Sequence, residues 1–201
     1  MNYLAHIFLA NSNADARLGA LLGDFVRSVD ADVGDDIRIE IMLHRHIDSF
    51  TDTHATTISA KSMFRNETRR FAGILLDIFY DHLLTQKWPQ YSSAPLHNFI
   101  ERFYEGLGEQ VHLFPPKFAV VALRMVSENW LGSYTTMEGV ELAVTRVSQR
   151  LSRNGGQLRE GVNDLRRNYE EISSGFDLFF PELIQFAEIQ RARLKSTKAL
   201  S

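Results

Sequence analysis

The stretch GILLDIFYDHLL, residues 73–84, is apolar enough for the inside of a helical bundle, yet it carries Asp77, Asp81 and His82. A buried carboxylate without a partner costs several kcal/mol or gives up its charge through a raised pKa. A partner is therefore required. Two kinds stay open on chemistry alone: a basic side chain such as Arg69, Arg70 or His44 inside the bundle, or a cation.

The same helical period recurs outward from this stretch. It predicts helices over 2–10, 15–29, 36–50, 55–64, 66–88, 96–112, 116–131, 136–152, 157–173 and 178–197. The five prolines fall at expected breaks or first turns, where proline is tolerated (Pro89, Pro95, Pro115, Pro116 and Pro181). SRNGGQ, 152–157, is the clearest loop, and no hairpin signal, repeat or low-complexity linker occurs. The expectation is one all-α domain over 1–201, a single helical bundle.

Composition narrows the function. With 22 basic and 25 acidic residues, the formal charge of −3 gives no global field for nucleic acid. The absence of cysteine removes disulfides, zinc–thiolate sites and thiol nucleophiles, and fits a cytoplasmic protein. No apolar run approaches the ~20 residues that span a bilayer. His6, inside the apolar start MNYLAHIFLANSN, and the lack of a basic leader argue against a signal peptide.

Two helices place acids on their inner faces. In 36–50 and just beyond, Ile37, Ile41, His44, Asp48 and Asp52 fall on one stripe about 80° wide, while His46 projects to the opposite side. In 66–88, Arg70, Ile74, Asp77, Asp81 and Leu84 form a second stripe, with His82 about 100° from Asp81. Carboxylates four residues apart repel, and a divalent cation turns that repulsion into coordination. Oxygen ligands with some imidazole suit manganese, magnesium or iron, with zinc also open. His6 and Asp24 gain weight only beside these groups.

The chain resembles the acyl carrier protein phosphodiesterases. The resemblance rests on MNYLAH at the start, LLGDFVR (21–27), HRHID (44–48) with TD (51–52), FRNETRR (64–70), LDIFYDHLL (76–84), and SENWL (127–131) followed by Tyr134. It implies a divergent HD-type metal-dependent phosphohydrolase that cleaves holo-acyl carrier protein to the apo form and 4′-phosphopantetheine, with manganese favoured. His6, Asp24, His44, Asp48, Asp52, Asp77, Asp81 and His82 all stand where the family's motifs have them. His46 stands in place of an arginine, and Gly23 and Gly73 in place of alanine and proline.

The roles expected from residues and resemblance together are these. His6, Asp24, His44, Asp48, Asp77 and Asp81 are the candidate metal ligands. His82, a candidate general acid for the leaving serine oxygen, and Asp52 are the candidate catalytic groups. Arg70 would clamp phosphate, and Arg45, Arg65 and Arg69 would meet the acidic carrier protein. Two other functions remain open: an HD-type hydrolase of a small phosphoester or nucleotide, and a non-catalytic helical module that binds a carrier protein.

Overall fold

The computed structural model describes residues 1–26, 33–110 and 116–198. Among them every regular element is an α-helix: α1 (Tyr3–Leu9), α2 (Ala14–Leu22), α3 (Asp35–Thr53), α4 (Ala55–Ser62), α5 (Asn66–Arg69), α6 (Ala72–Gln86), α7 (Trp88–Tyr91), α8 (Leu96–Gln110), α9 (Pro116–Ser127), α10 (Trp130–Ser133), α11 (Met137–Ser148), α12 (Gly155–Glu160), α13 (Val162–Arg167) and α14 (Tyr169–Lys198). One hydrophobic core joins all of them but α5, from Leu4 of α1 through Leu75, Phe79 and Leu83 of α6 to Phe176, Phe180 and Leu183 of α14. The all-α expectation holds. Positions 27–29 and 111–112 of the expected helices, and Pro115, lie outside the described residues.

The apolar stretch sits at the centre. In α6, Leu75, Leu76, Phe79, Tyr80, Leu83 and Leu84 are buried on several sides, so the helix is enclosed rather than laid on a surface. α2 and α3 approach closely at glycines. A Cβ on Gly19 would lie 2.5 Å from the Ile37 carbonyl oxygen, and one on Gly23 would lie 2.2 Å from His44 Cγ.

Four expected helices divide or merge, the first being 116–131, which divides into α9 and α10 at Glu128 and Asn129. The single helix over 66–88 breaks at Arg70 and Phe71, where Phe71 takes φ −101° and ψ 0°. Tertiary bonds hold the short α5 apart: buried Asp164 of α13 accepts from Thr68 Oγ1 at 2.5 Å and Arg65 Nε at 2.8 Å. The expected 157–173 splits into α12 and α13, and α14 then runs unbroken through 173–178 with Pro181 inside it. Proline there removes one backbone donor, but buried Phe176, Phe179, Phe180 and Leu183 hold the helix in line. Finally, α2 stops at Leu22, so Asp24 lies in the turn that follows it.

α14 is fastened to the front of the molecule by Arg191. Its Nε donates to Glu40 Oε1 of α3 at 2.6 Å, and its Nη2 donates to the Leu9 carbonyl that ends α1. Both side chains are largely buried, a setting in which removing one partner strands the other charge.

Candidate metal centre

The centre forms where α1, α3, α6 and the turn after α2 meet. α1 is placed there by an acid from another helix. Asn2, its N-cap, makes no side-chain capping bond. The fully buried Asp81 of α6 accepts instead from the Leu4 N–H at 2.8 Å and the Ala5 N–H at 3.0 Å. Burial raises the Asp81 carboxyl to about 7, with those two amides and the Met1 ammonium pulling the other way. The two acids of 73–84, buried Asp81 and partly exposed Asp77, therefore find their partners in the start of the chain, not in Arg69, Arg70 or His44. Asp77 Oδ1, one turn earlier, lies 2.9 Å from the Met1 amino nitrogen.

Capping α1 in this way delivers His6 to α3. The His6 and His44 rings stack with centroids 3.6 Å apart and planes 10° apart. Asp48 reaches both: Oδ1 lies 3.0 Å from His6 Nε2, and Oδ2 lies 3.2 Å from His44 Nε2. Asp24 Oδ1 approaches the same His44 nitrogen at 3.5 Å. The Met1 ammonium sits between Asp48 at 3.3 Å and Asp77 at 2.9 Å.

The charges are strongly coupled. Burial, then the neighbouring His44 charge, lowers His6 to about 4 despite Asp48. Burial would also lower His44, but hydrogen bonds to Asp24 and Asp48 and their charges raise it to about 9. Asp48 moves the other way: burial opposes its ionisation, yet His44, His6 and the Met1 ammonium hold it far below the usual carboxylate range. Asp24 is lowered on the same pattern, chiefly by His44 against burial. The Met1 ammonium is raised to about 10 by Asp77 and Asp48 against its own burial.

This donor set fits a divalent cation. His44 Nδ1 lies 2.7 Å from the Ala20 carbonyl, which only accepts, so Nδ1 carries a proton and Nε2 is left to face two carboxylates. His6 Nδ1 is buried with no hydrogen-bond partner among the described residues. Ligand atoms of His6, His44 and Asp48 all lie within 4.8 Å of one another. The arrangement already draws in a positive charge, the Met1 ammonium, beside Asp48 and Asp77.

The other expected site residues lie apart from this cluster. Asp52, on the exposed end of α3, pairs with Lys61 Nζ at 2.8 Å. His82 has both ring nitrogens engaged, Nδ1 donating to the Tyr134 carbonyl at 2.8 Å and Nε2 at 3.0 Å from the Tyr169 hydroxyl. Burial lowers its pKa, opposed by the Tyr134 bond. Because the helix breaks at Phe71, Arg70 leaves the Asp77 stripe; it lies over the Phe71 ring and donates to Gln157 Oε1. Arg45 donates to the Val26 carbonyl, Arg65 to Asp164, and Arg69 to the Ser62 and Phe64 carbonyls. The Met1 amine and the amides of Leu4 and Ala5 were not anticipated, since backbone groups leave no mark in side-chain spacing.

Comparison with known proteins identifies the family. The family model for acyl carrier protein phosphodiesterase matches residues 1–183. Proteins named acyl carrier protein phosphodiesterase from Klebsiella pneumoniae (strain 342) and Enterobacter sp. (strain 638) are each 34% identical to this chain. The first aligns over 94% of this chain and 98% of its own length, the second over 92% and 96%. One from Escherichia coli O6:K15:H31 is 34% identical over 93% of this chain and 97% of its own. No solved structure matches the chain. The matched residues include every element that builds the candidate centre, and the chain belongs to the acyl carrier protein phosphodiesterase family.

Proposed function

We propose that this protein hydrolyses the phosphodiester of holo-acyl carrier protein, releasing 4′-phosphopantetheine and the apo protein. The observation that carries this is the convergence of His6, His44, Asp48 and Asp24 in a chain of this family. These four, with Asp77 facing them across the Met1 amine, would hold a divalent ion, Mn2+ by preference. When bound, such an ion supplies a hydroxide near neutral pH and neutralises a phosphate oxygen.

The chain's own residues do the rest. Asp48 orients both imidazoles, and the Ala20 carbonyl fixes the His44 tautomer so that Nε2 faces inward. Asp81 works one step back, anchoring the start of α1 and so the position of His6. We assign His82 a positioning role as well, as the post between α6, the turn at Tyr134 and α14. The exposed part of Arg45 adds positive field for an acidic partner.

The test is the mass of holo-carrier protein before and after incubation with enzyme and Mn2+, beside a panel of small phosphodiesters. Loss of the phosphopantetheine mass is expected. An unchanged carrier protein, with or without turnover of small esters, would overturn the proposal.

A further inference from the structure

A groove runs between α9 and α11, outside the metal centre. Val120 and Arg124 of α9 face Leu142 and Arg146 of α11 across it, with Trp130 and Arg150 also in its wall, and its volume is about 360 Å³. Val120 and Leu142 are 55% and 47% exposed, so two large apolar side chains meet solvent from opposite walls. The guanidiniums of Arg124, Arg146 and Arg150 share the lining with one carboxylate, Glu128, which pairs with Arg146 at 3.0 Å. Positive charge is thus concentrated here in a chain whose formal charge is −3.

The groove adjoins the centre. Trp130, Arg146 and Arg150 also line a small cavity whose further wall is Asn2 and Tyr3. Tyr3 opens α1, the helix that presents His6, and its hydroxyl lies near enough to Arg150 and Asp24 to feel both charges.

We propose that the α9–α11 groove seats an acidic amphipathic helix of the carrier protein, with its apolar face on Val120 and Leu142 and its carboxylates on Arg124, Arg146 and Arg150. This rests on the carrier-protein reading above and adds where the partner sits. Charge complementarity selects the occupant: an apolar floor ringed by guanidiniums suits a helix that is both acidic and amphipathic, and carrier proteins are acidic as a class. The docked chain would place its modified serine at the Arg150 end, beside Tyr3. Arg65 and Arg69 are tied to Asp164 and to the carbonyls of Ser62 and Phe64, whereas Arg124 stands exposed on the groove and Arg150 reaches from its edge to the Tyr3 hydroxyl.

The test compares wild type, Arg124→Glu/Arg150→Glu and Leu142→Asp for KM on holo-carrier protein and for Kd on apo-carrier protein. Ile189→Asp on α14, an equally exposed apolar site elsewhere, is the control. Both groove variants should raise KM and Kd at least about tenfold, and the control should not. Carrier protein with acidic residues reversed to Lys should recover affinity for the Glu variant, which damage to the fold would not produce. Hydrogen exchange on wild type with apo-carrier protein should slow at the exposed amides of α9 and α11, a readout that needs no variant. Wild-type cleavage with unchanged KM in the groove variants, or protection confined to other helices, overturns the groove assignment alone. So does a dimer of this chain that Arg124→Glu dissociates while KM stays put. A wild type that neither binds nor cleaves carrier protein overturns both this assignment and the function it rests on.

Discussion

His6 and His44 stack face to face at 3.6 Å, yet the protein holds them in opposite protonation states, one ring pulled down to about 4 and the other up to about 9. Two imidazolium rings at that distance would repel strongly, and Asp48 and Asp24 settle which ring takes the proton.

That split sets the stability of the metal-free protein against pH. His6, lowered from 6.5, contributes stability that is present above 6.5 and is lost as pH falls toward about 4. His44, raised from 6.5, contributes stability that is present below 6.5 and is lost as pH rises through about 9. Thermal unfolding in chelator should therefore carry an acid limb from His6 below pH 6.5, offset by the opposite slope of Asp81, whose carboxyl is raised to about 7, and an alkaline limb from His44 above pH 6.5. His6→Gln should flatten the acid limb, and His44→Gln the alkaline limb. The reverse assignment of limbs would contradict the coupled pair described here.

Metal removal should be decisive for activity. Chelation is expected to abolish cleavage of holo-carrier protein, with Mn2+ restoring it, and Asp48→Asn should lose at least about a hundredfold in kcat/KM. Mn2+ titration followed by electron paramagnetic resonance should show weaker binding in the same variant. His46→Ala should stay within about twofold, since its ring lies off the cluster stripe. Full activity in thoroughly demetallated protein would end the metal mechanism.

Asp81 separates two roles for a buried acid. As the cap of α1, its loss strands the amides of Leu4 and Ala5, each worth about 1–3 kcal/mol when left buried and unpaired. Urea unfolding of the chelated protein should show Asp81→Ala destabilised by about 2–4 kcal/mol, and Asp81→Asn less, because one amide oxygen remains to accept. If Asp81→Ala unfolds like wild type in chelator but binds Mn2+ poorly, Asp81 is a ligand and α1 is held by something else.

Arg65 divides fold from docking. It shares buried Asp164 with Arg167 and Thr68. Arg65 is partly exposed, so Arg65→Ser should cost only about 1 kcal/mol in unfolding free energy, with KM for carrier protein nearly unchanged. Arg65→Ser/Arg167→Ser should cost more than the sum, because the buried carboxylate then keeps Thr68 alone. A raised KM at unaltered stability would restore Arg65 to the partner's rim.

Much of the site was legible because helical periodicity is local. The 100° rule put His44 and Asp48 on one face and His46 off it, and Asp48 does bridge His44 to His6. It also pointed Asp77 and Asp81 the same way, and both meet the start of the chain. What periodicity missed depends on distant partners. Thr68 and Arg65 break their helix for Asp164, 96 and 99 residues away. His82 turns to Tyr134 and Tyr169, 52 and 87 residues away. Pro181 signals a break, but the phenylalanines around it carry the helix through.

The Arg191–Glu40 latch joins residues 151 apart, and this separation orders events during synthesis. A ribosome releases α1, α3 and α6 long before α14, at about 5–20 residues per second. Until Arg191 emerges, Glu40 has no guanidinium to offset its burial, so the stretch of α3 one turn ahead of His44 cannot close on α1 at full depth. On the reading of the cluster as an ion site, a nascent chain would display its acids before it could grip an ion firmly, and competence would arrive with the last helix. Pulse-labelled chains stalled after residue 185 should be nicked by protease near Glu40, and released full-length chains should resist it.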